Sequence, residues 1–70
     1  MEKIVVVGQG YVGLPLSVAA SKIYPKVIGF DTNKSRIDNL AKGQSEIEDI
    51  SNQEINTVLN SQRFVPSSNW

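Results

Sequence analysis

Three glycines near the start of the chain, Gly8, Gly10 and Gly13, have the spacing Gly-x-Gly-x-x-Gly. Four consecutive β-branched residues precede them at positions 4–7, which predicts a strand buried on both faces. After the glycines, apolar residues recur at helical spacing. A turn between a strand and a helix suits anion binding, because the free N–H groups and the positive dipole end of the helix point at the ligand. The spacing therefore predicts the phosphate-binding turn of a dinucleotide-binding fold.

Each glycine has a separate mechanical role in this hypothesis. Gly8 turns the chain sharply off the strand, Gly10 leaves bare backbone where a pyrophosphate approaches, and Gly13 lets the helix pack tightly against the strand. We expect the backbone N–H groups of Tyr11 and Val12 to face the anion, so that no cationic side chain is needed. The alternative is an ordinary strand–turn–helix connection that binds no ligand.

A carboxylate follows at the distance that this hypothesis requires. Asp31 comes directly after a second, largely apolar run at positions 26–30. An acid about 20 residues after the glycines accepts hydrogen bonds from the adenine ribose hydroxyls. Because a 2′-phosphate would meet like charge there, Asp31 favours NAD over NADP as the cofactor; capping of the next helix is its alternative role. We expect Arg36 to lie over the adenine or to reach a ribose hydroxyl, the alternative being a solvated surface arginine.

Two helices and two strands must position these residues. The first helix is predicted over 11–22, with Pro15 tolerated only because it lies in the first turn. The second strand is predicted over 26–30 and the second helix over 34–42, with Thr32 or Asn33 as its cap. The apolar stripe of the first helix, expected to be buried, consists of Val12, Leu16, Ala19, Ala20 and Ile23.

The rest of the chain predicts one more helix and one more strand. Ser51 and Glu54 have the spacing of a capping box, flanked by Ile50 and Ile55 as a hydrophobic staple, so a third helix is expected up to about position 60. A short strand is expected at 63–65. The fold class is α/β: a Rossmann-like parallel sheet, first half only, with elements in the order β-α-β-α-α-β and strand order 3-2-1.

Composition limits the function. The chain has 70 residues, 7 Lys and Arg against 7 Asp and Glu, and neither cysteine nor histidine. This length predicts a single partial dinucleotide-binding domain over 1–70, since a whole doubly wound domain is about twice as long. Zero net charge argues against nucleic-acid or anionic-membrane partners, and no apolar run reaches the length of a membrane span. We expect a soluble, cytoplasmic chain with no metal site and no catalytic residue of its own.

The run from Val7 to Leu16, Val-Gly-Gln-Gly-Tyr-Val-Gly-Leu-Pro-Leu, resembles the start of the UDP-glucose/GDP-mannose (nucleotide-sugar) dehydrogenase family. The run Val-Ile-Gly-Phe-Asp at 27–31, followed by Asn33, Arg36 and Ile37, resembles the family's second strand and helix. Within the family, UDP-glucose enzymes tend to have a segment with proline and glycine before the third helix. The segment at 46–51 has neither, and is more similar to the branch that oxidises UDP-N-acetylhexosamines.

The resemblance implies an NAD-dependent oxidation of the sugar C6 hydroxyl to a carboxylate through a cysteine-bound intermediate. This chain has no cysteine, so the resemblance implies only cofactor contacts here, and the UDP-sugar would be bound by downstream domains. The implied cofactor-binding residues are Gly8, Gly10, Tyr11, Val12, Gly13, Asp31 and Arg36. Two alternatives stay open: a non-catalytic nucleotide-binding or assembly module, and part of another NAD- or FAD-dependent Rossmann oxidoreductase.

The predicted strand order leaves the first strand at an edge of the sheet. An exposed apolar edge invites pairing with another chain. We therefore predict a homo-oligomer through this edge, for example a two-fold dimer with an antiparallel six-stranded sheet of order 3-2-1-1′-2′-3′.

Overall fold

The computed structural model describes residues 3–69 and contains one three-stranded parallel sheet with three helices. The sheet has the order β1-β2-β3, and in its register Val5 pairs with Ile28, which pairs with Val65. This is the predicted α/β, Rossmann-like arrangement, and the strand order confirms the predicted 3-2-1. The elements are β1 (Ile4–Val7), α1 (Gly13–Ser21), β2 (Val27–Phe30), α2 (Lys34–Ala41), α3 (Asn52–Asn60) and β3 (Phe64–Ser67).

One face of the sheet carries the core. Successive strand residues point to opposite faces, so Val6, Val27 and Phe64 are buried under the helices. Both β-to-β crossovers move along the sheet in the same direction, and right-handed connections then place their helices on this same face. Val5 and Val7 point to the other face and are exposed, Val7 at 68%. The prediction that β1 is buried on both faces is therefore wrong for the described residues.

Helix α1 packs on the core with a different side from the predicted one. Its buried residues include Leu14 and Val18, together with two serines, Ser17 and Ser21. Because two of its four buried residues are serines, hydrophobic periodicity does not indicate this side of the helix. Ser21 satisfies its hydroxyl by donating to the Ser17 carbonyl at 2.7 Å. In the stripe expected to be buried, Ala20 packs partly against the core, but the other four residues are exposed: Val12, Leu16, Ala19 and Ile23.

The caps of the other two helices are as predicted. The Asn33 side chain accepts from the Arg36 N–H at the start of α2. The Ser51 hydroxyl accepts from the Glu54 N–H, and the Glu54 side chain accepts from the Ser51 N–H, which completes the capping box of α3. The Asn33 cap fixes where α2 begins, and therefore where Arg36 lies in its first turn. Within residues 3–69, no helix has the length and apolar character needed to cross a membrane.

Candidate dinucleotide site

The glycine turn joins the end of β1 to the start of α1. Gly8 has φ +90°, a left-handed conformation that strains any residue with a Cβ, and its N–H donates to the Phe30 carbonyl of β2 at 2.7 Å. A Cβ on Gly13 would overlap the Gly8 carbonyl oxygen and come within 2.6 Å of its carbon. A Cβ on Gly10 would meet only the end of the Arg36 side chain, at 3.7 Å. Gly8 and Gly13 therefore shape the turn, while Gly10 leaves its backbone accessible to a ligand.

The start of α1 presents backbone donors. Among residues 3–69, the N–H groups of Gly10, Tyr11 and Val12 donate to no other group, and no side chain caps the helix. The Tyr11 and Val12 side chains are exposed. Unpaired N–H groups at a helix N-terminus are a partial positive charge that an anion can satisfy.

Asp31 lies beside this turn, at the end of β2. Its Oδ2 accepts from the Gln9 N–H at 2.8 Å, and its Oδ1 accepts from the Asn33 N–H at 2.9 Å. The Arg36 Nη1 donates to the same Oδ2 at 3.2 Å. The Asn33 N–H, then the Gln9 N–H and then the Arg36 guanidinium hold the pKa of Asp31 below its usual value, against the opposing effect of burial. The carboxylate is therefore charged at neutral pH.

Arg36 bridges the site to the loop before α3. Its Nε lies 3.8 Å from the Glu46 Oε2, and its Nη1 reaches Asp31. Nothing in the residue spacing indicates that this loop returns to Arg36. The contact with Glu46 arises only from the tertiary fold.

Gln9 was also missed by the sequence analysis. Its position is one of the variable ones in the glycine pattern, yet its side chain is 1% exposed. The Nε2 donates to the carbonyls of Val6 and Gly8 at 2.9 and 3.0 Å. No feature of the linear sequence indicates that this polar side chain folds inward.

A strand, a glycine turn with free helix donors and a buried carboxylate at the next strand end define a dinucleotide-binding protein of the Rossmann class. Residues 2–70 match the model of the UDP-glucose/GDP-mannose dehydrogenase family, NAD binding domain. The chain belongs to this family, and its cofactor is NAD.

Curated relatives match parts of the chain. UDP-N-acetyl-D-glucosamine 6-dehydrogenase of Salmonella typhi is 54% identical over 41 residues, which are 59% of this chain and 9% of that protein. Protein CapL of Staphylococcus aureus is 42% identical over 52 residues, which are 74% of this chain and 12% of CapL. The chain therefore spans about a tenth of the length of these relatives.

The fold matches solved structures over nearly its whole length. The UDP-N-acetyl-mannosamine dehydrogenase Cap5O from Staphylococcus aureus superposes with a TM-score of 0.89 at 37% identity. The match covers 99% of this chain and 17% of the Cap5O chain. The UDP-D-MAnNAc dehydrogenase from Pyrococcus horikoshii gives a TM-score of 0.89 at 25% identity, covering 97% of this chain and 16% of that chain.

Proposed function

We propose that this chain binds the ADP half of NAD through the glycine turn and Asp31. The observation that carries the proposal is the 2.8 Å hydrogen bond from the Gln9 N–H to the Asp31 Oδ2, because it joins the phosphate turn to the ribose carboxylate. In this proposal the Tyr11 and Val12 N–H groups hold the pyrophosphate. Gly10 gives the pyrophosphate room to approach, while Gly8 and Gly13 maintain the turn.

The residues present fit the cofactor. A carboxylate has about four acceptor sites, and Asp31 uses three of them on Gln9, Asn33 and Arg36. One site is left for a ribose hydroxyl. A second hydroxyl requires Arg36 to release the Oδ2. The Arg36 side chain is partly exposed, so there is room for it to turn toward the adenine. A 2′-phosphate would face the charged Asp31, so NAD is preferred to NADP.

For the whole protein, we propose a 6-dehydrogenase that oxidises the C6 hydroxyl of a UDP-sugar to a carboxylate. This oxidation removes two hydrides, and NAD would be the acceptor of each when it is bound, with residues of this chain binding and orienting it. The chain contains no cysteine, so the covalent step of the proposed reaction is assigned to no residue here. Biosynthesis of polysaccharides and a cytoplasmic location stay predictions.

We propose a UDP-N-acetylhexosamine as the sugar. The Salmonella typhi relative is named as a UDP-N-acetyl-D-glucosamine 6-dehydrogenase, and the Cap5O structure from Staphylococcus aureus is described as a UDP-N-acetyl-mannosamine dehydrogenase. The segment at 46–51 independently resembles that branch. Turnover of UDP-N-acetylglucosamine, UDP-N-acetylmannosamine and UDP-glucose by the full-length protein tests this choice, and a preference for UDP-glucose would refute it.

Calorimetric titration with NAD, NADP and FAD tests the cofactor site. We expect binding of NAD, weaker binding of NADP, and no binding of FAD. The variant Asp31→Asn should lose about tenfold in NAD affinity, because a charge-assisted hydrogen bond becomes a neutral one. The matched control is Asp38→Asn, which changes an exposed carboxylate on α2. Equal losses in both variants would contradict the role of Asp31.

We propose in addition that the β1 edge forms a contact between copies of this chain. The proposal is supported by the terminal place of β1 in the sheet and by the exposure of Val5 and Val7. Sedimentation at micromolar concentration should show a dimer, and Val7→Lys should shift it to the monomer. A wild-type monomer would refute this contact.

A further inference from the structure

We propose that Gln9 is a positioning residue, whose side-chain amide orients the peptide unit that holds the ribose carboxylate. The role rests on the proposed function, because it acts through Asp31. The Gln9 side chain donates to the Val6 and Gly8 carbonyls and lies against Gly29 of β2. The residue is 1% exposed, so its side chain does not contact the cofactor.

The peptide unit between Gly8 and Gln9 connects the Gln9 side chain to Asp31. Its carbonyl oxygen accepts from the Gln9 Nε2 at 3.0 Å, and its N–H donates to the Asp31 Oδ2 at 2.8 Å. A peptide unit is planar, so fixing the direction of the carbonyl also fixes the direction of the N–H. The side chain of Gln9 therefore holds its own backbone N–H toward Asp31.

The orientation of the Gln9 amide follows from chemistry. Its two near partners, the carbonyls of Val6 and Gly8, are both acceptors, so the atom between them must be the NH₂ nitrogen. The bond to Val6 anchors the amide to the end of β1. One side chain thus ties together the strand, the turn and, through the peptide unit, the carboxylate at the end of β2.

Burial argues against a purely space-filling role. The Gln9 Oε1 is buried and has no hydrogen-bond partner among residues 3–69. An unpaired buried oxygen is costly, and an apolar side chain would fill the same space without it. The sheet also makes room for this amide, because a Cβ on Gly29 would lie 2.6 Å from the Oε1. What the amide contributes is its two donated hydrogen bonds.

The variant Gln9→Met tests the role, because it keeps the length of the side chain and removes both hydrogen bonds. The pKa of Asp31 is measured by carbon-13 NMR of aspartate-labelled protein. We expect this pKa to rise in the variant, since the Gln9 N–H is no longer held toward the carboxylate, and NAD affinity to fall by about three- to tenfold. The control is Ser17→Ala, which removes another buried unpaired oxygen but no contact with the turn; it should leave the pKa of Asp31 unchanged.

A folded Gln9→Met protein with the wild-type pKa of Asp31 would overturn the proposal. The titration of Asp31 needs no cofactor, so a protein that fails to bind NAD would refute the proposed function without affecting this readout. Should the variant not fold, hydrogen exchange of the side-chain amides in the wild-type protein decides the question. The Gln9 amide should exchange much more slowly than those of the exposed Gln44, Gln53 and Gln62. Equal exchange rates would overturn the proposal.

Discussion

Alanine substitutions at two glycines of the turn should separate the stability of the fold from the binding of NAD. At Gly13 the methyl group would collide with the Gly8 backbone, whereas at Gly10 it would point into open space beside Arg36. The first change should therefore damage the fold, and the second should damage only the cofactor site.

The structure allows the size of the Gly13→Ala effect to be worked out. The added Cβ would lie 2.6 Å from the Gly8 carbonyl carbon, and nearer still to its oxygen, where at least 3.0 Å is needed. Both clashing atoms belong to the backbone, so no side-chain rotation relieves them. Forcing atoms into such a site costs about 3 kcal/mol, the upper part of the usual range. A domain of this length has roughly 4–10 kcal/mol in total, so the midpoint of thermal unfolding should fall by more than about 10 °C.

Gly10→Ala should behave differently. Its Cβ would be 3.7 Å from the Arg36 Nη1, an ordinary van der Waals distance. The backbone at this position does not have a positive φ, so alanine is tolerated there and stability should change by no more than about 0.5 kcal/mol. The methyl group would occupy the approach of the pyrophosphate, so NAD affinity should fall by more than about tenfold.

Urea unfolding without nucleotide and calorimetric titration with NAD measure the two effects separately. The reasoning predicts an unstable Gly13→Ala protein and a stable Gly10→Ala protein that binds NAD poorly. Wild-type NAD affinity in Gly10→Ala would refute the proposed approach of the pyrophosphate. Wild-type stability in Gly13→Ala would refute the close packing of the turn.

Three further predictions concern the Asp31 carboxylate, its ion pair with Arg36, and the cap of α3. Folding lowers the pKa of Asp31, so the charged carboxylate stabilises the protein above the unfolded-state pKa of about 3.9. This stabilisation is lost as the pH falls through the lower pKa of the folded state. Acid unfolding of the Asp31→Asn variant should therefore lack this component. Arg36→Ala should raise the pKa of Asp31 in an NMR titration, with a stability change below about 1 kcal/mol, since the ion pair is partly exposed. Ser51→Ala should lower the free energy of unfolding by about 1 kcal/mol through loss of the cap of α3, whereas Ser51→Thr, which keeps the hydroxyl, should stay close to wild type in urea unfolding.

Much of the fold was predictable because its determinants are local. The strand before Gly8, the turn and the acid at position 31 are neighbours in sequence or one crossover apart. The capping box at Ser51 and Glu54 also lies within four residues, so its geometry follows from the residue types alone. Strand order followed from the rule that parallel crossovers are right-handed and connect neighbouring strands.

The contacts around the site were less predictable because they join distant segments. Gln9 is buried only because Gly29 on β2 leaves space for it. Glu46 approaches Arg36 only because the loop before α3 folds back over α2. Sequence spacing carries no information on either pair, since each depends on how two elements pack.

The error in α1 shows what periodicity can and cannot decide. Leu14 and Val18 face the sheet, while Leu16 and Ile23, on the predicted stripe, face away. The helix is apolar on both sides, and a helix with this pattern is normally covered all round. Hydrophobic periodicity correctly indicates one apolar side of α1. It does not indicate which side the sheet covers, because the serines on the covered side weaken the apolar pattern there.

The exposed side of α1 and the outer face of β1 both carry apolar side chains that the fold leaves uncovered. Val12 and Ile23 on or beside the helix are 81% and 74% exposed, and Val7 on the strand is also exposed. Single exposed apolar residues are common, whereas a contiguous apolar patch marks a contact surface, so the strand and the helix are tested by separate substitutions. Val7→Lys changes only the strand and Leu16→Lys only the helix. If the strand edge alone forms the proposed contact between copies, sedimentation should respond to the first substitution and not to the second.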